Sequence, residues 1–252
     1  MKIRKGAPKP ISPGTARRNR PVERRSQPDL WESERDLFWA ERELQRRGFQ
    51  RIAGMDEAGR GPLAGPVVAA AVVLSPEACY EGLTDSKLLT PRAREIWFDR
   101  ICASAVDYSI ASVDHEEIDA INILVASRKA MELAVERLSR RPDHLLVDGI
   151  IPIRSMIEQW CIKQGDRRSL SIAAASVLAK VTRDRMMDEM HQRYPQYNFR
   201  KNKGYGTLEH REALQRFGFC PLHRKSFRGV KEFLIAPACD PVVEPLLQEE
   251  AS

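Results

Sequence analysis

The stretch "GMDEAGRGPLAGPVVAAAVVL", Gly54 to Leu74, places two adjacent carboxylates, Asp56 and Glu57, directly before a glycine-rich turn and a run of small apolar residues. Either a phosphate cradle of the nucleotide-binding kind or a metal site lying close against a substrate backbone would use such a turn. The dinucleotide fingerprint is G-x-G-x-x-G between a strand and a helix. Here the glycines are Gly59, Gly61 and Gly65, so the last spacing is one residue too long, and Pro62 and Pro66 interrupt the segment. Val67 to Leu74 is too apolar and β-branched to open that helix, and no Lys-Ser/Thr follows the glycines as a P-loop requires. The metal reading is left.

Other acids strengthen it. Asp56 closes the short strand "RIAGMD" and Asp148 closes "LLVD". If those strands lie side by side and parallel, both carboxylates reach one sheet rim, where α/β proteins usually hold their ligands. Asp184 sits on a long helix one turn past Lys180. Clustered carboxylates raise one another's pKa values unless cations neutralise them. Oxygen ligands without a His/Cys set point to Mg²⁺ or Mn²⁺. Each acid alone could equally be a cap or a surface ion pair, and for Asp184 the alternative partner is Lys180 at i−4.

Outward from this stretch, strands alternate with helices. The spacing predicts a helix over Leu30–Arg47, stopped by Gly48, then the strands "RIAGMD" and "PVVAAAVVL" and a loop "LTDSKLLTP". Thr90 before Pro91 opens a helix to about Ser104; "VDYSIASV" is a strand; Asp114 with Glu117 reads as a capping box. A helix from Asn122 to Ser139, the strands "HLLVDG" and "IEQWCIK", a long helix over "SLSIAAASVLAKVTRDRMMDEMHQRY", and short helices near Glu209–Phe217 and Phe227–Leu234 follow. This predicts an α/β core with a helical C-terminal cap.

Charge is uneven along the 252 residues. Residues 1–30 hold nine Lys/Arg and two Asp/Glu, a net +7, while 236–252 hold four acids and no base. We expect a disordered, proline-broken basic extension over 1–29, a catalytic domain over 30–235 and an acidic flexible tail over 236–252. A basic arm attracts polyanions without selecting a sequence. No apolar run approaches the ~20 residues of a membrane span, and the N-terminus has no hydrophobic signal core. Five scattered cysteines without a C-x-x-C suit a reducing compartment, so the expected location is the cytoplasm, with no membrane contact.

In "RYPQYNFRKNKGYGT", Tyr194, Tyr197, Phe199 and Tyr205 alternate with Arg193, Arg200, Lys201 and Lys203, as a nucleic-acid strand groove would require. Phe199 and one tyrosine could instead be core. "HRKSF", His223–Phe227, adds a second basic segment.

Together with "GMDEAGRGPLAGPVVAAAVVL", the pieces "DSKLL", "LLVDG", "SIAAASVLAKVTRDRMM", "YPQY", "NKGYGT" and "HRKSF" resemble type 2 ribonuclease H (ribonuclease HII), in family order over roughly 34–235. The resemblance implies an RNase H-like mixed sheet flanked by helices. It implies cleavage of the RNA strand of RNA–DNA hybrids and cuts at single ribonucleotides embedded in DNA; we expect a monomer whose partners are those duplexes. By motif position, Asp56, Glu57, Asp148 and Asp184 would be the metal-binding and catalytic acids. Gly59, Arg60 and Gly61 would contact the ribose–deoxyribose junction, Tyr205 would stack there, and Lys87 would contact a phosphate. Glycines admit the substrate where a Cβ would clash, and peptide groups can then read a 2′-OH. In a two-metal scheme, cations ~3.5–4 Å apart would stabilise attacking water and leaving oxygen. Two other classes are open: a non-catalytic hybrid-binding module would not need four acids, and a phosphohydrolase of small nucleotides would not need the aromatic-basic segment.

Overall fold

The structure, a computed structural model, describes residues 36–235. The proposed basic extension, the acidic tail and the first part of the helix expected from Leu30 lie outside the described residues. Five strands form one sheet: β1 (Ile52–Ala58), β2 (Val67–Val73), β3 (Asp107–Val113), β4 (His144–Asp148) and β5 (Glu158–Ile162), in the order β3-β2-β1-β4-β5. β1 pairs antiparallel with β2 and parallel with β4, so the sheet is mixed. This is the RNase H-like α/β arrangement implied by the resemblance. β1 runs to Ala58, two residues beyond the expected "RIAGMD", because Asp56, Glu57 and Ala58 keep their ladder with Ala70, Ala69 and Val68.

The helices cover both faces. α1 (Trp39–Arg46) is shorter than expected among the described residues: Asp36 accepts a bond from the Phe38 amide and holds a turn in front of it. α2 (Pro91–Ser104) starts as read, with Thr90 Oγ1 accepting from the Ala93 amide at 3.2 Å. Asp114 caps α3 (His115–Ile121) through the Glu117 amide, but the Glu117 side chain pairs with Lys129 instead of closing a capping box. Asn122, at φ 70°, separates α3 from α4 (Ile123–Glu136), and its Oδ1 accepts from the Leu124 and Val125 amides. α3 and α4 bury Ile118, Ala126, Ala130 and Ala134 against Ala69, Ala71 and Ala111 of one sheet face. On the other face lie α2 and α5 (Leu170–Arg193), where Ala173–Ala175, Val177 and Leu178 pack on Ala70 and Val72. Small residues on both partners explain the close approach. At Gly54 a Cβ would stand 2.2 Å from the Ser171 carbonyl carbon, so only glycine lets α5 lie on β1 there.

Past the sheet, α5 continues into a C-terminal cap of α6 (Phe199–Asn202) and α7 (Leu208–Phe217). Met187 of α5, Leu63, Ala64, Tyr197, Phe199, Leu214 and Val230 form its core. The helix expected over Phe227–Leu234 is a 3₁₀ turn at Lys231–Ile235 only, with Phe227 and Val230 already used as packing contacts before it.

Candidate active site

The parallel register Met55↔Val147 places Asp56 beside Asp148, the last residue of β4, on the neighbouring strands the sequence suggested, while β1 itself runs on to Ala58. Asp56, Glu57 and Asp148 line one cleft of about 460 Å³ with Gly59, Arg60, Gly61, Ser86, Lys87, Ser176, Lys180, Arg183 and Tyr205. Asp56 is buried, and its carboxyl is held well above the usual range by burial, then by the charges of Glu57 and Asp148. Burial also raises Glu57, against the pull of Arg60, whose guanidinium lies 3.2 Å away. It raises Asp148 as well, against a 2.6 Å bond donated by the Gly165 amide. Buried carboxylates that raise one another's pKa are a poor arrangement for a bare protein at neutral pH.

That donor set fits a hard divalent cation: all ligands are oxygens, drawn from two adjacent strands. Among the described residues, no three His, Cys, Asp or Glu side chains are gathered tightly enough to enclose an ion as they stand. Each is engaged elsewhere: Glu57 with Arg60, Asp148 with the Gly165 amide, and Asp56 with the Glu57 amide at 2.7 Å. Asp184, on the second half of α5, does not line the cleft. Its carboxylate accepts from Lys180 Nζ at 2.6 Å, the i−4 pair the sequence allowed, and it is Lys180 that reaches the cleft.

Lys87 is fixed from several sides. Asp85, fully buried, accepts from the Lys87 amide at 2.9 Å and from Arg167 Nε at 3.1 Å, while Asp166 takes the Lys87 ammonium at 3.3 Å. Burial works against the Lys87 charge, but Asp166, Asp85 and Asp56 outweigh it and raise its pKa. Tyr205 is 45% exposed at the cleft wall, and a Cβ on Gly61 would lie 3.6 Å from its ring. The other aromatics of that segment are not a groove: Tyr197 and Phe199 are core, stacked at 5.5 Å between centroids, and Tyr194 packs against the same cluster.

"HRKSF" is the larger correction. His223 and Arg224 are fully buried, so of the basic residues in this segment only Lys225 is exposed. Arg224 donates to the carbonyls of Gly59 (2.6 Å), Arg60 (3.0 Å) and Gly65 (2.9 Å). Arg183, also buried, donates to the carbonyls of Pro66 (2.9 Å), Lys203 (2.9 Å) and Ala64 (3.2 Å). Two guanidiniums thus hold the glycine loop by its backbone, each satisfied by carbonyls. Gly59, at φ +101°, owes its identity to this clamp: a Cβ there would stand 2.1 Å from Arg183 Nε. The glycine loop is tight for an internal reason as well as for any substrate. No run of local sequence marks these arginines as internal, since each has an exposed basic residue one or two positions on, Arg185 and Lys225.

The chain matches the family model described as Ribonuclease HII over residues 53–230. It is 55% identical over 191 residues to a ribonuclease HII of Syntrophotalea carbinolica, covering 76% of this chain and 91% of that protein. The crystal structure of ribonuclease H2 from Pyrococcus horikoshii aligns with a TM-score of 0.63 at 27% identity, over 73% of this chain and 97% of that chain. Bst-RNase HIII in complex with Mn²⁺ aligns with a TM-score of 0.61 over 82% of this chain and 73% of that chain, and at 16% identity this likeness speaks for the fold.

Proposed function

The chain belongs to the ribonuclease HII family and is therefore a metal-dependent endoribonuclease acting on RNA–DNA hybrids, and from that premise we propose that it also cuts 5′ of single ribonucleotides embedded in duplex DNA by two-metal-ion hydrolysis. The observation that supports this reading is one cleft holding Asp56, Glu57 and Asp148 beside the Gly59–Gly61 loop and Tyr205. Chemistry and ribose contact then fall on the same nucleotide.

In this proposal Asp56, Glu57 and Asp148 would hold the cations, and Asp184 would join them if it gave up its bond to Lys180. Mg²⁺ or Mn²⁺ suits the all-oxygen donor set. When bound, such ions supply Lewis-acid activation of the attacking water and stabilise the leaving oxygen. The loop's peptide groups read the 2′-OH, the atom that separates RNA from DNA. Tyr205 stacks on the neighbouring sugar, and Lys87, steadied by Asp85 and Asp166, pairs with a phosphate. Water adds to phosphorus and the bond to the 3′ oxygen of the preceding nucleotide breaks. The products carry a 3′-OH on the upstream strand and a 5′-phosphate on the ribonucleotide.

No helix among the described residues is long and apolar enough to cross a membrane. A monomer working in the cytoplasm on RNA–DNA hybrids and ribonucleotide-containing duplexes completes the proposal. The deciding experiment is a labelled DNA duplex with one ribonucleotide, incubated with Mg²⁺ and with Mn²⁺. A single cut 5′ of the ribonucleotide with a 5′-phosphate product is expected. No cleavage, or a cyclic phosphate produced by attack of the 2′-OH, would overturn it.

A further inference from the structure

Behind Tyr205 lies a pair of histidines that the chemistry above does not use. His210 of α7 and His223 are both fully buried, and their Nε2 atoms are 2.9 Å apart. The Cys220 amide donates to His223 Nδ1 at 3.0 Å. The Cys220 carbonyl also lies 3.2 Å from this nitrogen, but the amide, which can only donate, is nearer, so Nδ1 is the acceptor and the His223 proton sits on Nε2. His223 Nε2 then donates to His210 Nε2, which leaves the His210 proton on Nδ1, 2.9 Å from the Tyr205 carbonyl. The protons run in one direction, from the Cys220 amide through two neutral imidazoles to the backbone of Tyr205.

We infer that His210 and His223 are positioning residues for ribonucleotide recognition, holding Tyr205 at the cleft wall through this relay. The inference rests on the assignment of Tyr205 to substrate stacking. Tyr205 is otherwise tied down by its own amide, which donates to the Asn202 carbonyl at 2.9 Å, and by the Thr207 amide, which donates to the Tyr205 carbonyl at 2.8 Å. The first reaches the cap core through Asn202 of α6, whose side chain donates to the Tyr197 carbonyl at 2.6 Å; the second stays within the turn. The imidazole pair adds a second link to that core, through the Tyr205 carbonyl itself. Tyr197 packs on His223 at 4.8 Å between centroids and Phe199 on His210 at 5.5 Å, so the rings cannot swing away. Burying two imidazoles among aromatics costs desolvation that two apolar residues would not. What the imidazoles supply in return is a fixed backbone at the one exposed aromatic of the segment. Burial holds both in the neutral form that the relay needs, His223 down to about 3.

A double-mutant cycle on the single-ribonucleotide duplex tests this under single-turnover conditions. His210→Phe removes the donor to Tyr205 and should slow cleavage by about tenfold, the effect of one buried hydrogen bond. His210→Asn, whose amide can occupy the place of Nδ1, should restore most of the rate. In a Tyr205→Ala background His210→Phe should have no further effect. Equal slowing in both backgrounds would overturn the positioning role while leaving the Tyr205 assignment standing. A Tyr205→Ala enzyme that cuts at the wild-type rate would sink that assignment and this inference with it. If His210→Phe does not fold, ¹⁵N spectra of the wild-type imidazoles decide: Nε2–H on His223 and Nδ1–H on His210 are expected. The opposite tautomer on His210 would refute the relay.

Discussion

The carboxylates at the strand ends and the histidine–arginine brace behind the glycine loop are both buried and both polar, yet they are built oppositely. In the brace every charge or dipole meets its complement: Arg224 donates to three carbonyls, and the two imidazoles pass one hydrogen-bond direction to Tyr205. In the cleft, like charges face one another, and burial together with mutual repulsion raises Asp56 while burial raises Glu57 and Asp148. A satisfied polar network gives rigidity, whereas an unsatisfied one is a standing demand for a ligand. The Gly59–Gly61 loop lies between the two. Rigidity on one side of the loop and unmet charge on the other suit a site that must hold its reading surface still while cations and phosphate come and go.

The largest expected effect lies on the cleft side. Asp56→Asn should lower single-turnover cleavage by about a thousandfold or more, since metal-derived charge stabilisation is worth several kcal/mol. Substrate affinity in a parallel gel shift should change little, because the loop, Lys87 and Tyr205 are untouched. Near-normal cleavage in saturating Mg²⁺ would remove Asp56 from the ligand set.

Next comes the contact the brace supports. Tyr205→Ala should slow cutting at a single ribonucleotide by about tenfold to a hundredfold, the equivalent of one stacking contact of roughly 1–3 kcal/mol. Tyr205→Phe should keep most activity because the ring makes the contact. If the alanine enzyme cuts both a single-ribonucleotide duplex and an all-RNA strand at the wild-type rate, the cap side of the comparison has no part in recognition.

The two regions also differ in how far the sequence disclosed them. Asp56 and Asp148 were readable because each ends a short apolar run, and neighbouring parallel strands leave few places for such ends to go. Phe199 and one tyrosine as core were a reading the segment allowed without a local signal for it, since Phe199 lies between Asn198 and Arg200 and Tyr197 between Gln196 and Asn198. The brace was not. Arg224 stands beside His223 and Lys225 in what looks like a solvated basic patch, and only the bridge Ala64↔His223, between residues 159 apart, shows that it turns inward. Asp184 is intermediate: its i−4 spacing from Lys180 is local and visible, but whether the helix turns that carboxylate or the lysine to the cleft depends on how α5 lies on β1. Local signals fix strands and caps; buried charges satisfied across the chain have no local signature.

A smaller effect sharpens the claim that the cleft is held under repulsion. In EDTA at neutral pH, Asp56→Asn should melt higher than the wild type, because one of three mutually repelling carboxylates is gone. For a domain of this size ~1 kcal/mol corresponds to about 2–4 °C. Added Mg²⁺ should raise the wild type more than the variant and narrow the gap. A variant that melts lower in EDTA would show that the cluster is not strained.

The smallest effect belongs to the brace and concerns pH. Burial, the neighbouring charge of His210 and that of His115 depress His223 to about 3, against the nearby Cys220 carbonyl; burial depresses His210 against the Tyr205 carbonyl. Tyr197 and Phe199 also stand against this pair. In the unfolded chain both imidazoles return to roughly 6.5. Between about pH 6.5 and 3 the unfolded chain therefore binds more protons than the folded one, so stability is full above that window and falls as the pH drops into it. The cleft acids run the other way: with raised folded values, their contribution is present at low pH and lost as pH rises through those values. The wild type should then show a muted loss of melting temperature between pH 7.5 and 5, because the two regions partly cancel. Asp56→Asn in EDTA should steepen the loss by removing part of the acid-side compensation. His223→Gln should flatten it by removing the group that must stay neutral. If all three proteins share one slope, the brace does not carry its histidines neutral, and the contrast between the satisfied and the unsatisfied network fails at its satisfied end.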